Sequence, residues 1–178
     1  LVDAGAILLD GRTPEEFAGS VVPSDVDIVL VAEPGFEIEA RNRLGRIGFD
    51  RVVGYLADPL AVMSEHPDRT ARASRLTVPE FERRRAEIDG LQLIDIRNPG
   101  EIAIGSIAGS VELPVGQLPG RLDELDPDAP TVVYCAGGYR SSVAASVLRR
   151  AGFTDVSDLV GGYGAWLEFA GPSLPAPV

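Results

Sequence analysis

The chain repeats itself, imperfectly but over enough positions to set its fold class. Leu8-Leu9-Asp10-Gly11-Arg12-Thr13-Pro14-Glu15-Glu16-Phe17-Ala18 returns as Leu93-Ile94-Asp95-Ile96-Arg97-Asn98-Pro99-Gly100-Glu101-Ile102-Ala103. Each copy reads as a short apolar strand, an Asp-x-Arg, a break at proline and a short helical stretch. Further on, Asp27-Ile28-Val29-Leu30-Val31 matches Thr131-Val132-Val133-Tyr134-Cys135. Both strings lead through a glycine-containing loop into a helix that ends in Gly-Phe, at Gly48-Phe49 and Gly152-Phe153. The periodicity puts Ala40, Leu44 and Ile47 on one face of the first helix, and Ala144, Val147, Leu148 and Ala151 on one face of the second. Apolar strands alternating with amphipathic helices predict parallel βα units, hence an α/β fold with two domains, each a parallel central sheet flanked by helices.

The copies differ in length. Between Ser106 and Thr131 lie 24 residues, against 6 between Ser20 and Asp27, a shortfall of 18 in the first copy. In the second copy the extra length holds Val111-Glu112-Leu113-Pro114 and a predicted helix over Gly120–Leu125. A deletion would remove one strand from the first sheet; a segment left out of the sequence would read identically. The expected boundaries are a first domain over 1–58, a polar linker over 59–73, and a second domain over 74–178. Thr77, followed by Glu80, is the expected helix cap that opens the second domain. Because residue 1 is Leu, the sequence is expected to start inside a longer protein.

Charge and composition exclude several functions. The chain of 178 residues carries a formal charge of −11. That charge is spread as −6 over residues 1–73 and −5 over 74–178, which argues against nucleic acid as a partner. Every cation is arginine, so lysine Schiff bases and a phosphate-loop lysine are absent. One cysteine and one histidine are too few soft ligands for a structural zinc, and neither metal nor cofactor is expected. No apolar run reaches the length of a membrane span and no signal pattern opens the chain, so the expected location is cytoplasmic. The lone cysteine fits a reducing compartment.

That cysteine, Cys135, stands where a strand gives way to Ala136-Gly137-Gly138-Tyr139-Arg140-Ser141 and a helix. A thiol facing loop N–H groups, a helix N-terminus and an arginine is placed to be a thiolate and to bind anions. In this reading the N–H groups of Ala136 to Arg140 cradle the sulfur, and Gly137 and Gly138 allow the chain to curl. Arg140 attracts an anionic substrate and Ser141 caps the helix. Tyr139 either lines a pocket or lies on the loop. Asp95 and Arg97 read as a structural ion pair orienting the loop region, and Asp10 and Arg12 as its counterpart.

The string from Cys135 to Ser141 resembles the active-site loop of the rhodanese (sulfurtransferase) family. About a hundred residues, Ser74 to Gly171, carry further motifs of that resemblance. They are Leu93-Ile94-Asp95-Ile96-Arg97, Gly109-Ser110-Val111-Glu112-Leu113-Pro114 and Leu159-Val160-Gly161-Gly162-Tyr163-Gly164-Ala165-Trp166. The first copy looks like a degenerate sister domain in which Val31 stands at the position of Cys135. The Arg-rich composition and Val31-Ala32-Glu33-Pro34-Gly35 also resemble the C-terminal part of metallo-β-lactamase–rhodanese fusions, which implies a metallo-hydrolase-like domain upstream. The resemblance implies a sulfurtransferase. A small-molecule donor, thiosulfate or a low-molecular-weight persulfide, would load Cys135, and a thiol or cyanide would take the sulfur away. Two departures stand out: Gly105-Ser106-Ile107-Ala108-Gly109 has Ser106 where many rhodaneses have histidine, and Ala136 is not basic, which disfavours thiosulfate.

Other readings compete with this one. Cysteine phosphatases of related fold place five residues between nucleophile and arginine; here Ala136 to Tyr139 make four, a cradle that suits sulfur better than a phosphoryl group. A non-catalytic regulatory or scaffolding module is the main alternative, since a lone cysteine at a strand end is often a small buried hydrophobe. His66 reads as a solvated linker residue. Trp166, with Leu159, Val160 and Leu167, reads as core, and Glu80 to Arg85 as a solvated helix face.

Overall fold

A computed structural model describes residues 7–10 and 14–170. The chain divides into two compact units, Leu1–Arg72 and Ala73–Val178. In the first, β1 (Ile7–Asp10), β2 (Ile28–Val31) and β3 (Val52–Tyr55) form a parallel sheet in that order. Helices α1 (Pro14–Val21) and α2 (Glu37–Arg46) connect them. Ala18, Ile28, Leu30, Ala40, Leu44 and Phe49 make its core. Ile47, expected on the buried face of α2, lies beyond the helix end and is exposed; Phe49 is buried instead. Residues 22–27 run from α1 to β2 without forming a strand. Arg12, the expected partner of Asp10, lies outside the described residues.

The segment read as a linker is partly helical, with α3 over Pro59–Glu65 and a 3-10 turn over Pro67–Arg69. Its start has a local cause: Asp58 Oδ1 accepts the Ala61 N–H at 3.2 Å and Pro59 occupies the first turn. His66 is exposed between the two turns.

The second unit holds β4 (Ser74–Leu76), α4 (Val78–Glu87), β5 (Gln92–Asp95), α5 (Pro99–Ile102), β6 (Val111–Glu112), β7 (Thr131–Tyr134), α6 (Tyr139–Arg150), β8 (Val156–Leu159) and α7 (Gly162–Ala170). Its five strands are parallel in the order β4-β8-β7-β5-β6. Central strand β7 is buried at all four positions, as expected of a parallel sheet covered on both faces. Alternate sheet positions Leu93, Val132, Tyr134 and Leu159 pack with Phe81 of α4 and Trp166 of α7 in one core. Glu80 opens α4 by accepting the Thr77 N–H at 2.8 Å and hydroxyl at 2.7 Å. Helices α2 and α6 end alike. Phe49 donates its N–H to Leu44 and Phe153 to Leu148, closing each last turn over a buried phenylalanine.

Four expectations change. Gly120–Leu125 is not an α-helix but two 3-10 turns, Leu118–Gly120 and Leu122–Glu124; Pro119 and Gly120 break the run too often for a full turn to propagate. Val160 and Leu167 are exposed, leaving Trp166 and Leu159 to the core. The buried face of α6 is Ser141, Ala144, Ala145 and Leu148; Val147 is only partly covered and Ala151 is exposed. Helix α4 is not a solvated face, because Phe81 is fully buried, Glu82 accepts the Trp166 indole N–H at 2.7 Å and Arg84 pairs with Asp155. Among the described residues no helix is long and apolar enough to cross a membrane.

Candidate active site

Cys135 follows β7 directly and its side chain is 1% exposed. The next residues, Ala136 and Gly137, are exposed, and the chain turns at Gly138 into α6. The Gly138 N–H donates to Cys135 Sγ at 3.1 Å, and Sγ lies 3.6 Å from Ser141 Oγ. The sulfur therefore sits at the N-terminal end of a twelve-residue helix, where amide dipoles favour negative charge. Ser141 does not cap α6. Gly138 holds the cap position, and Ser141, buried in the first turn, turns its hydroxyl to the sulfur.

The two loop glycines are not equivalent. Gly138 has φ +92°, and a Cβ there would lie 3.1 Å from the Gly161 nitrogen and 3.3 Å from the Leu159 oxygen. Gly137 has neither a positive φ nor any atom within 4 Å of a Cβ position, so the curl depends on Gly138 alone. Tyr139 is 40% exposed on the first turn of α6.

The start of α7 supports the loop from behind. Tyr163 N–H donates to the Cys135 carbonyl at 2.7 Å and Gly164 N–H to the Ala136 carbonyl at 3.1 Å. This approach needs Gly162, whose Cβ would meet the Cys135 oxygen at 2.2 Å. From β4, Arg75 grips the buried Asp158 through Nε at 3.0 Å and Nη2 at 2.9 Å, and its Nη2 reaches the Gly138 carbonyl at 3.4 Å. Asp158 holds the Arg75 guanidinium above its ordinary pKa.

Arg140 does not stand free over the loop. Its Nη1 and Nη2 bind the two oxygens of Glu101 at 2.7 and 2.6 Å. Glu101 in turn is fixed by the start of α5, where it accepts the Asn98 N–H at 3.0 Å. Hydrogen bonds from Arg140, and lesser ones from Asn98, hold the Glu101 carboxyl down at about 2. Arg140 is raised above its ordinary value by Glu101 first and, more weakly, by the sulfur of Cys135.

Asp95 and Arg97 form a buried two-point ion pair, with Nη2 to Oδ2 at 2.6 Å and Nε to Oδ1 at 2.9 Å. Burial opposes the Arg97 charge, and Asp95 outweighs it, leaving the guanidinium above its ordinary pKa. Arg97 also donates to the Gly105 carbonyl at 2.6 Å and stacks over Tyr163, with Cζ 4.0 Å from the ring centroid. Tyr134 donates its hydroxyl to Asp95 Oδ2 at 2.7 Å and accepts the Ile107 N–H at 3.0 Å. Burial pushes its phenol well above the ordinary value. The pair thus ties together the 105–107 turn, the end of β7 and the ring that leads into α7. Among the described residues no group of three or more His, Cys, Asp or Glu is placed to hold a metal.

Sequence reasoning named Cys135 and its loop but missed Glu101, Arg75, Asp158, Tyr134 and Gly162 as the loop's supports. Asn98-Pro99-Gly100-Glu101 has the capping spacing that fixes Glu101, and the Gly161-Gly162 pair after β8 signals a close backbone approach. Nothing in the sequence pairs Arg75 with Asp158.

A single thiol at the end of a parallel-sheet strand, turned into a helix N-terminus, marks an α/β domain with a cysteine loop. The model of the rhodanese-like domain matches residues 77–169, and the chain belongs to that family. A Bacillus subtilis protein, YqhL, is 41% identical over 91 residues, covering 51% of this chain and 70% of that one. A protein named sulfurtransferase from Allochromatium vinosum is 38% identical over 92 residues, 52% of this chain and 86% of its own. The thiosulfate sulfurtransferase GlpE of Pseudomonas aeruginosa is 39% identical over 88 residues, 49% and 79% of the two chains. Among solved structures, a rhodanese-like domain protein from Staphylococcus aureus superposes with a TM-score of 0.52 at 26% identity, over 59% of this chain and 99% of that one. A thiosulfate sulfurtransferase from Pseudomonas aeruginosa shares the fold over 97% of this chain and 41% of its own, with a TM-score of 0.52 at 22% identity.

Proposed function

We propose that the chain is a sulfurtransferase that carries sulfane sulfur on Cys135. The observation that carries this reading is the setting of Cys135 Sγ. It receives the Gly138 N–H at 3.1 Å at the start of α6, in a chain 38–39% identical over about half its length to relatives named for sulfur transfer. The Cys135 thiolate attacks the sulfane sulfur of thiosulfate or of a low-molecular-weight persulfide. The S–S bond of the donor breaks, and its electron pair leaves with sulfite or with the donor's thiolate. Cys135 then holds a terminal persulfide anion, which the Gly138 N–H and the helix end stabilise. A thiol or cyanide attacks the outer sulfur, and the electron pair of the Cys135 S–S bond returns to Cys135. Such a carrier cycle gives ping-pong kinetics.

Intact mass after incubation with each donor tests the cycle. The expected result is a gain of one sulfur atom, removed by cyanide and absent in Cys135→Ser. Folded protein that gains no sulfur from either donor, yet is alkylated at Cys135, would refute it. The near-complete burial of Cys135 favours a second reading, a non-catalytic module with a packed thiol. Under that reading the folded protein also resists alkylation.

In this proposal the first unit is a rhodanese-like domain without the cysteine. Support comes from strand order: β1, β2 and β3 are neighbours in the sequence in which β5, β7 and β8 neighbour one another.

A further inference from the structure

We propose that Glu101 selects the charge of the sulfur donor by cancelling Arg140. This rests on the sulfurtransferase reading and narrows its donor. Arg140 is the cation nearest in sequence to the thiol, and a lone guanidinium there would attract a compact dianion. Instead, both of its terminal nitrogens are occupied by the two oxygens of Glu101, at 2.7 and 2.6 Å. Glu101 cannot swing aside freely, because the same carboxylate caps the Asn98 N–H at 3.0 Å. With its carboxyl held at about 2, Glu101 is ionised throughout the neutral range. The other two arginines of the region are matched likewise, Arg75 by Asp158 and Arg97 by Asp95.

The mouth of the loop therefore offers the Gly138 N–H but no net side-chain positive charge, on a chain whose overall charge is −11. Thiosulfate brings two negative charges within one small ion. A low-molecular-weight persulfide brings one at its reacting end. The site accordingly takes the persulfide in preference to thiosulfate, and Glu101 acts on the reaction through Arg140 as a positioning residue.

The test compares persulfide formation on Cys135, by quenched intact mass, with thiosulfate and with glutathione persulfide. It uses the full chain and three variants: Glu101→Gln, Arg140→Gln and the double variant. Glutamine keeps an oxygen for the Asn98 N–H but leaves Arg140 charged. The thiosulfate-to-persulfide rate ratio should rise about tenfold in E101Q, from one added charge near the donor. It should fall in R140Q, where Glu101 is left unpaired, and return to the wild-type value in the double variant, which is again neutral. If E101Q unfolds in circular dichroism, the ordering of R140Q below wild type and the double variant still decides. An unchanged ratio across the folded proteins, with sulfur still loaded, overturns the role of Glu101 and leaves sulfur transfer standing. No loading of wild type by either donor overturns both.

Discussion

The loop that presents Cys135 depends on a contact no other residue type can make, and Gly162→Ala measures it. Gly162 lies at φ +57°, and a Cβ there would sit 2.2 Å from the Cys135 oxygen and 2.8 Å from the Ala136 oxygen. Carbon and carbonyl oxygen rest about 3.3 Å apart, so one side must retreat by about 1 Å. Neither can do so cheaply, because the same carbonyls accept the Tyr163 and Gly164 N–H groups at 2.7 and 3.1 Å. The left-handed backbone costs an alanine about 1 kcal/mol. Forced repacking adds about 1–3 kcal/mol. A total of roughly 2–4 kcal/mol should lower Tm by at least about 8 °C for a unit of this size. If α7 holds and the loop moves, a 1 Å displacement of the sulfur should slow persulfide formation about a hundredfold. Circular dichroism melting and the intact-mass rate read the two effects on one sample. Gly164→Ala is the matched control. Its Cβ would lie an ordinary 3.5 Å from the Ala136 oxygen, within α7, and should leave the rate unchanged. Wild-type Tm and rate in Gly162→Ala would refute the claim that α7 sets the position of the loop.

Two more predictions concern the scaffold. Tyr134→Phe removes the hydroxyl that bridges Asp95 and the Ile107 N–H, leaving a buried donor unpaired. It should cost about 1–3 kcal/mol by urea unfolding, and an unchanged midpoint would contradict the bridge. Glu101 has its carboxyl depressed to about 2, so its pairing stabilises the fold above the ordinary carboxylate range and is lost as pH falls toward 2. The Tm difference between wild type and Glu101→Gln should be constant above about pH 5 and shrink below it; a difference growing with acid would reverse the sign.

How much of this was legible beforehand varies by residue, for physical reasons. The βα units, the parallel sheet and Cys135 at a strand end follow from periodicity and local residue order, and the structure has them. The Thr77-x-x-Glu80 cap was legible for the same reason, being contained in four residues. Arg140 was visible as a cation, but the carboxylate that pairs with it, Glu101, lies 39 positions away. Arg75 and Asp158 are 83 positions apart and meet only because β4 and β8 pair in the sheet. Gly120–Leu125 looked helical from composition, yet six residues flanked by proline close only isolated turns.

The internal repeat places the cysteine in the second unit, at a position where the first carries valine. By the internal repeat, Asp10 corresponds to Asp95, Leu30 to Tyr134 and Val31 to Cys135. Leu30 is buried in its own core, as Tyr134 is in its own, but it brings no hydroxyl. Tyr134 uses that hydroxyl to join Asp95 to Ile107 and lies 3.1 Å from Ser110 Oγ, in the stretch that leads to β6. In the first unit, among the described residues, 22–27 run from α1 to β2 without a strand. A cysteine placed at position 31 alone, in Val31→Cys, would be a thiol without the Tyr134–Asp95–Ile107 bridge of the second unit, and intact mass of Val31→Cys combined with Cys135→Ser should show no gain of sulfur.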